Sequence, residues 1–346
     1  MSNGRLKVAV VGAGFVAKER HLPFWTGRRE VEVSAITDLN AEAAATLARE
    51  FNISNHYTDI QQMLEVIRPD IVDVCTPTST HYPIAIAAIA HGSHVVLEKP
   101  MADSYMHCQE MVQAAAAKGV KLTVVHNMLF YPCVMKARKL VDGGAIGKVT
   151  GVRVFMSAPS ELYLSRDGWV HKLPGGLLGE TGPHALYLAR AFTGPVDDIE
   201  ATAFKHSSYP WASADDFDVS LRGQIAPASI RVIHNSNFAA GELQIWGTKG
   251  QLKADLFRMT LHSSLVTKIA NGSIAASILN DSVALLGQCV VNGLQVLTGR
   301  YKLGHDRFLE EFLKSVNSDA PLPVAPEDAA EVVSLQERMV QVMSYR

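Results

Sequence analysis

The sequence has little cysteine and no excess of charge of either sign. Its 346 residues include four cysteines that form no Cys-x-x-Cys pair, which excludes a zinc ribbon and a thioredoxin-type redox motif. So few cysteines in a long chain argue against a disulfide framework and favour a reducing, cytoplasmic compartment. Thirty-two Lys and Arg against 34 Asp and Glu leave a formal charge of −2, without the basic excess of a nucleic-acid-binding protein.

Motifs of several other protein classes are also missing. The sequence contains no Gly-x-Ser-x-Gly or His-Glu-x-x-His motif and no tight His/Asp/Glu cluster, so we expect neither a serine hydrolase nor a bound metal. The first apolar run begins at once and predicts a strand rather than a cleavable signal. Polar residues such as Asp281 and Gln288 interrupt the apolar stretch 274–297. We therefore expect a helix packed on its own fold or on a partner, and no membrane span.

Strand and helix patterns alternate over the first 125 residues. Short apolar runs predict strands buried on both faces, at residues 6–12, 31–37, 71–75, 95–97 and 122–125. Helical patterns lie between them, at residues 41–50, 60–67, 83–91 and 104–118. This alternation predicts an α/β fold with a doubly wound parallel sheet over residues 1–125.

The pattern changes after residue 125. Helices are predicted at 132–142 and 185–192, and five strand-like runs follow one another between 199 and 256. Consecutive strands predict a mostly antiparallel sheet. We therefore predict a second, α+β domain over 126–346 with an open sheet, and two C-terminal helices of which the last is a candidate to pack back on the first domain.

The segment Gly12–Ala17 reads GAGFVA and directly follows the first predicted strand. Gly12 permits a tight turn, Gly14 lets the backbone approach a pyrophosphate, and the small Ala17 lets helix and strand pack closely. Phe15 and Val16 open the helix whose free N–H groups would face the phosphates. The segment predicts a Rossmann dinucleotide site.

Asp38 ends the second predicted strand, 24 residues after Gly14. A carboxylate at about this spacing accepts hydrogen bonds from the adenosine ribose and repels a 2′-phosphate. Neither Leu39 nor Asn40 supplies a cation for such a phosphate. NAD is therefore favoured over NADP, which stays open, as does a purely solvated Asp38.

Four motifs in fixed order carry a resemblance: GAGFVA, CTPTSTH at 75–81, HVVLEKPMA at 94–102 and GAIGKV at 144–149. With the glycine-rich approach to His184, they make the chain resemble the Gfo/Idh/MocA family of glucose–fructose oxidoreductases and inositol dehydrogenases. The resemblance implies a Rossmann domain followed by a domain with an open, largely antiparallel sheet, through which a homodimer or homotetramer forms. It also implies hydride transfer between nicotinamide and the carbinol carbon of a sugar, cyclitol or related alcohol.

The same resemblance assigns roles to matching positions. Lys99 would contact the reacting hydroxyl and the nicotinamide, His184 would accept the proton, and Pro100 would follow a cis-type turn. The cofactor side would include Thr76, Pro77, Thr78, His81 and Glu98.

The sequence departs from the family pattern Asp-x-Gly-x-His-x-x-Asp around His184. Glu180 replaces the first carboxylate, Tyr187 replaces the last, and Pro183 precedes the histidine. An arginine often found after the last Rossmann strand is also missing. Asn127 and Tyr131 are the candidates to take over substrate or cofactor contacts in its place. Asn127 is counted with the cofactor residues, and Tyr131, Glu180, His184 and Tyr187 with the substrate residues.

The chemistry of alcohol oxidation agrees with these assignments. A neutral histidine is the natural base near pH 7, and a helix start at His184 would disfavour its protonated form. Glu180, four residues earlier, would orient His184, hold a substrate hydroxyl or merely cap the helix. The Lys99 ammonium would polarise the oxygen, and Trp169 either forms a sugar platform or packs in the fold.

Three functions remain open from the sequence. The first is an NAD(P)-dependent oxidoreductase acting on a sugar-like alcohol. The second is a glycosidase-type enzyme that holds NAD tightly, oxidises the sugar transiently, eliminates the glycosidic bond and then reduces the product again, which regenerates NAD. The third is a non-catalytic sensor of NAD or a sugar.

Overall fold

The chain divides into two units, each built around one sheet. The computed structural model describes residues 4–264, 271–298, 301, 304–318 and 320–346. The first unit comprises the chain up to Asn127 together with His305–Ser334, and the second comprises Met128–Gly304 with Leu335–Arg346. A stretch near the C-terminus therefore belongs to the first unit.

Six parallel strands form the sheet of the first unit. They are β1 (Leu6–Val11), β2 (Val31–Thr37), β3 (His56–Tyr57), β4 (Ile71–Val74), β5 (His94–Leu97) and β6 (Leu122–Val124). Their order, β3-β2-β1-β4-β5-β6, with every pair parallel, is that of a dinucleotide-binding Rossmann sheet. The predicted fold class is confirmed for this unit.

Five helices connect these strands. They are α1 (Leu22–Thr26), α2 (Ala41–Glu50), α3 (Ile60–Ile67), α4 (His81–Ala90) and α5 (Tyr105–Lys118). The side chains of Asn40, Asp59 and Ser104 accept backbone N–H groups at the starts of α2, α3 and α5, as such residues do at helix N-termini. Gly119 ends α5 in the left-handed conformation.

The sheet brings three chain segments to one edge. Because β1, β4 and β5 are parallel neighbours, the residues that follow them, Gly12, Cys75 and Glu98, lie side by side at the carboxyl ends of the strands. Ligands of open α/β sheets bind at this edge. The sheet thus positions the glycine turn, the Thr76 segment and Lys99 on the same side of the unit.

A mixed, mostly antiparallel sheet forms the second unit. Its strands are β7 (Val149–Pro159), β8 (Val196–Phe204), β9 (Asp216–Gly223), β10 (Pro227–Ser236), β11 (Ala240–Gly247), β12 (Gly250–Asp255), β13 (Thr260–Ser264) and β14 (Ser344–Tyr345). The order is β13-β12-β11-β7-β10-β9-β8-β14. Only β7–β10 and β8–β14 pair in parallel among the described strands, so the predicted open sheet is confirmed.

The remaining helices are α6 (Pro132–Asp142), α7 (Leu177–Thr193), α8 (Asn271–Leu297), α9 (Gly304–Ser318) and α10 (Pro326–Val342). Helix α7 begins eight residues before the predicted start at 185, with Pro183 in its interior. Proline normally breaks a helix because it leaves the carbonyl four residues earlier without its donor. Here that carbonyl, of Gly179, accepts a hydrogen bond from the Gln336 amide at 3.1 Å, so the helix continues.

The described residues of helix α8 contact β13 and the turn before it. The Gln288 side chain pairs with the backbone of Leu261, and Asn292 donates to the carbonyls of Arg258 and Met259. Most described apolar side chains of α8 are exposed. By length and composition alone it could span a membrane (mean hydropathy 1.6 over Ile274–Leu297), which for one helix is weak support for a span, and the expectation of no membrane stays a prediction.

Candidate active site

The glycine turn follows β1 and requires glycine at its first position. Gly12 has φ +102°, and a Cβ there would lie 2.7 Å from the Cys75 carbonyl oxygen. A Cβ at Gly14 would meet no atom of the chain within 4 Å, so this backbone faces open space. Phe15, 71% exposed, begins the helical segment. The turn fits a pyrophosphate, because the backbone can be approached closely and leads into helical N–H groups.

Asp38 lies directly after β2, beside this turn. One of its carboxylate oxygens accepts the Ala13 N–H at 2.7 Å, and the other accepts the Asn40 N–H at 2.8 Å. Leu39 is exposed, and the Asn40 side chain caps α2. Asp38 therefore holds the glycine turn against the end of β2 while keeping further lone pairs on its carboxylate.

The segment after β4 contains Thr76, Pro77 and Thr78 and leads into α4. His81 is fully buried, with one ring nitrogen 2.8 Å from the Thr76 carbonyl and the other 2.9 Å from the Pro100 carbonyl. Burial lowers the pKa of His81, which favours the neutral ring, and a neutral ring has one N–H to donate to these carbonyls. His81 links the Thr76 segment to the Pro100 turn, and any effect on a cofactor runs through these two segments.

Glu98, Lys99 and Pro100 follow β5. The peptide bond between Lys99 and Pro100 is cis, as the resemblance implies. Lys99 is half-buried, and its backbone N–H donates to Glu98 Oε2 at 3.2 Å. The buried Glu98 carboxylate thus holds the backbone that carries Lys99.

The sequence reasoning missed two residues behind Glu98. The His21 ring lies between Asp73 and Glu98, with nitrogen–oxygen distances of 2.8 and 3.0 Å. Asp73 stands inside the apolar strand β4 and is fully buried. A carboxylate within a buried apolar strand must have a charged or hydrogen-bonding partner, and that signal was available in the sequence.

Helix α7 carries Glu180, His184 and Tyr187 in the second unit. His184 Nδ1 lies 2.7 Å from the Tyr187 hydroxyl, which also accepts the Met128 N–H at 3.2 Å. Tyr187 is buried and His184 half-buried. The tyrosine, predicted as a substrate contact, orients the histidine, so the position the family fills with aspartate serves here as the partner of the ring.

His184 does not lie at a helix start. It is the eighth residue of α7, beyond the first turn in which the helix dipole acts, so the expected effect of the helix N-terminus on its charge is wrong. Glu180 is half-buried one turn earlier on the same face. Burial and the Glu180 charge raise the pKa of Tyr163, which places the carboxylate and the phenol in one neighbourhood.

The remaining candidates lie on loops or short turns. Trp169 is 58% exposed at the start of a 3₁₀ turn. His171 Nε2 lies 3.2 and 3.1 Å from the carbonyls of Tyr163 and Arg166, so it closes this loop. Asn127 is buried after β6, and the half-buried Tyr131 precedes α6.

Both units match models of known protein families. Residues 6–126 match the oxidoreductase family with an NAD-binding Rossmann fold, and residues 134–253 match the GFO/IDH/MocA C-terminal domain. The first unit is therefore an NAD-binding Rossmann domain, and the cofactor prediction is confirmed at this level.

Two similar curated proteins are dehydrogenases by name. The chain is 32% identical to D-glucoside 3-dehydrogenase of Escherichia coli over 149 residues, 43% of this chain and 42% of that protein. It is 29% identical to levoglucosan dehydrogenase of Pseudarthrobacter phenanthrenivorans over 207 residues, 57% of this chain and 53% of that protein. These matches span about half the length of the relatives.

Solved structures share the fold over nearly the whole chain. The WlbA dehydrogenase of Bordetella pertussis, in complex with NADH and UDP-GlcNAcA, has a TM-score of 0.80 at 20% identity, covering 99% of this chain and 96% of that one. Levoglucosan dehydrogenase in complex with NADH has a TM-score of 0.79 at 19% identity, covering 98% and 96%. Together with the family models over both units, these findings confirm the resemblance seen in the sequence: the chain belongs to the Gfo/Idh/MocA family of oxidoreductases.

Proposed function

We propose that the protein is an NAD-dependent dehydrogenase that oxidises one hydroxyl of a sugar, cyclitol or related cyclic alcohol. The observation that supports this most is that the Gly12 turn and Lys99 follow the carboxyl ends of β1 and β5, with β4 between these strands. Strands in a sheet lie about 4.8 Å apart, so the two positions are about 10 Å apart along the sheet edge. A dinucleotide held at the glycine turn would span that distance to Lys99.

The substrate class is supported by the names of the relatives. They act on D-glucosides and levoglucosan, and a further relative is a scyllo-inositol 2-dehydrogenase of Bacillus subtilis that uses NADP⁺. A ring carrying several hydroxyls is common to these compounds. Glu180 with Tyr163, and the exposed Trp169, offer the hydrogen-bonding groups and the aromatic surface that such a ring requires.

NAD, when bound, accepts the hydride that leaves the carbinol carbon. The Lys99 ammonium donates to the hydroxyl oxygen and stabilises the negative charge that develops there. His184 Nε2 accepts the hydroxyl proton while Nδ1–H donates to Tyr187. The Tyr187 oxygen has two lone pairs, one for this bond and one for the Met128 N–H, and in this assignment Nε2 is the basic nitrogen.

The test is a panel of sugars, glycosides, cyclitols and sugar acids, each with NAD or NADP, followed by the absorbance of the reduced nicotinamide. We expect net reduction of NAD with at least one cyclic polyol. Conversion of a glycoside without net NADH would contradict a simple dehydrogenase and favour the oxidation–elimination reaction. Cofactor binding without turnover across the panel would favour a sensor.

Asp38 is predicted to select NAD. Asp38→Asn keeps the size of the side chain but removes its charge, and we expect the ratio of the NADP to the NAD affinity to rise about tenfold, since hydrogen bonds to a charged group contribute about 1.5–3 kcal/mol. Binding is measured by titration with both reduced cofactors. Glu42→Gln, an exposed carboxylate on α2, is the matched control. An unchanged ratio in Asp38→Asn would refute this role.

We further propose that the protein forms a homodimer or homotetramer through the second-unit sheet and works in a reducing cytoplasm. Strand β10 alternates buried and more exposed residues, so the sheet keeps one face for a partner. No disulfide joins the four cysteines in the described part of the chain, as a reducing compartment would leave them. Light scattering of the purified protein measures the oligomeric state.

A further inference from the structure

A buried chain of hydrogen bonds lies behind Glu98 in the first unit. His21 Nδ1 is 2.8 Å from Asp73 Oδ2, and His21 Nε2 is 3.0 Å from Glu98 Oε1. The side chains of His21 and Asp73 have no exposed surface. His305 Nε2 lies 3.4 Å from the same oxygen of Glu98. Both ring nitrogens of His21 thus face carboxylates, and the ring itself is fully buried.

The hydrogen-bond donors around this cluster favour one set of charges. Asp73 accepts from the Trp25 indole N–H at 2.6 Å and lies 3.8 Å from the Cys75 thiol, so its oxygens need no proton of their own. Glu98 Oε2 accepts the Lys99 N–H, which favours an ionised Glu98 as well. A neutral His21 would then set a lone pair against one of the two carboxylates, whereas an imidazolium donates to both.

The electrostatics point in the same direction. Burial opposes a charge on His21, but the Asp73 carboxylate outweighs it and the pKa of His21 rises well above its ordinary value. Burial likewise opposes ionisation of Glu98, but hydrogen bonds from His21 and His305 hold its pKa well below the usual range. The titratable groups facing His21 are Asp73, Cys75, Glu98 and His305.

Local backbone structure sets the ring in this place. Residues Ala17–His21 form a single π turn that ends at His21 and continues into α1. Such turns insert one extra residue into a helix and recur at functional sites. The turn directs His21 from the helix after the glycine motif toward β4 and the end of β5.

We propose that His21 is a positioning residue for the reaction: as an imidazolium clamped between Asp73 and Glu98, it fixes the Glu98 carboxylate and, through it, the backbone of Lys99. This inference rests on the proposed function, in which Lys99 contacts the reacting oxygen. One buried ion cluster then connects the helix after the glycine motif to the catalytic lysine. A substitution of His21 therefore shifts the position of Lys99.

The same atoms could be considered a metal site, because His21, Glu98 and His305 each offer a ligand atom within 4.8 Å of the others. Ligands of a tetrahedral zinc, with bonds of about 2.1 Å, lie roughly 3.4 Å apart. His305 Nε2 and Glu98 Oε1 have this spacing, but His21 Nε2 and Glu98 Oε1 are only 3.0 Å apart, which is a hydrogen-bond distance. A ligating histidine usually donates its second N–H to a partner. His305 Nδ1 is buried without one among the described residues. The geometry favours a proton over a metal ion.

The first experiment measures the protonation state of the His21 ring directly. The histidine rings are labelled with ¹⁵N, and the His21 signals are assigned by loss in His21→Gln, or through the backbone if that variant does not fold. We expect both His21 nitrogens to carry protons from pH 6 to pH 9. Cys75→Ser, which keeps the charges of the cluster, should leave this unchanged, and Asp73→Asn should make the ring titrate at lower pH. A neutral His21 ring at pH 7, or stoichiometric zinc lost in His21→Gln, would overturn the proposal.

The pH dependence of protein stability provides an independent test of the charge on His21. A histidine with a raised folded-state pKa stabilises the protein fully below its unfolded pKa, near 6.5, and this contribution is lost as pH rises toward the folded value. The Tm of the wild type should therefore fall between pH 6.5 and pH 9 relative to that of His21→Gln. Parallel Tm curves for the two proteins would contradict a charged His21.

The positioning role of His21 is tested by measuring kcat and the NMR resonance of the Lys99 backbone amide. Misplacing a reacting group by about 1 Å costs on the order of 100-fold, so we expect His21→Gln to lower kcat about 10- to 100-fold with NAD affinity within twofold of the wild type. The amide resonance of Lys99 should shift in the same variant. An unchanged kcat and amide signal would refute the role of His21. If no alcohol in the panel is oxidised while the amide shifts, the proposed function fails and the ion cluster stands.

Discussion

Replacing Lys99 with methionine should lower kcat by about 100- to 1000-fold, the effect of removing one preorganised donor from a developing oxyanion. Methionine keeps most of the length and apolar volume of the lysine stem but has no charge and no N–H group. The rate of NADH formation at saturating alcohol measures the change. NAD binding, followed by titration, should be reduced much less than kcat, because the charge of Lys99 acts on the reacting oxygen.

Lys118→Met is the matched control for this substitution. Lys118 ends α5, and its ammonium donates to the Ala90 carbonyl at 3.2 Å, away from the carboxyl ends of the strands. Its replacement should leave kcat within twofold of the wild type. If Lys99→Met kept wild-type turnover as well, the assignment of Lys99 to the reacting oxygen would be wrong.

Removing the imidazole of His184 should lower kcat by about 100- to 10,000-fold near pH 7, the range of general base catalysis. His184→Ala leaves the hydroxyl proton to water. Hydroxide becomes more abundant as pH rises, so the defect should shrink between pH 7 and pH 10. The profile of kcat against pH for the wild type and the variant tests this. His91→Ala, at an exposed histidine on the C-terminal end of α4, provides the control.

The substitution Tyr187→Phe distinguishes the contribution of the tyrosine hydroxyl, which orients His184, from that of His184 as the base. The variant keeps His184 but removes the hydroxyl that holds Nδ1, so the ring is free to rotate and to change tautomer. We expect a loss of kcat smaller than that of His184→Ala, together with a shift of the acidic limb of the pH profile. Identical pH profiles for Tyr187→Phe and the wild type would show that the 2.7 Å contact does not set the state of the base.

The sequence predicts the nucleotide half of the molecule well because its signals are local. A continuous apolar run such as 6–12 has one stable environment, a strand covered on both faces. The requirement for glycine at position 12 follows from the turn itself, and the structure adds the reason, the Cys75 carbonyl 2.7 Å from the position of a Cβ. The strand boundaries at β2, β4 and β5 lie within one residue of the predicted ones.

The start of α7 could not be predicted in the same way. Glycines and a proline in PGGLLGETGPH indicate a loop by local rules, whereas the structure uses Gly179 for close contact with Leu173 and Pro174. The amide that replaces the missing donor of Pro183 comes from Gln336, 157 residues away from Gly179. Partners this distant in sequence leave no periodic signal.

The cluster around His21 could not be predicted from the sequence for a similar reason. Asp73 and Glu98 lie 52 and 77 residues from His21, and each looks ordinary by itself. Only Asp73, an acid inside an apolar strand, is anomalous in the sequence. A buried charge within a strand is a useful search criterion for such networks, because its partner has to exist somewhere in the fold.

The bond between Asp38 and the Ala13 amide has a consequence for redesigning coenzyme preference. The carboxylate that would discriminate against a phosphorylated ribose also braces the loop that would cradle the diphosphate. Installing a cation at this position would therefore loosen the loop for either coenzyme. A change of preference from NAD to NADP therefore needs at least two substitutions. One must supply a cation for the additional phosphate, and the other must supply a new acceptor for the Ala13 N–H.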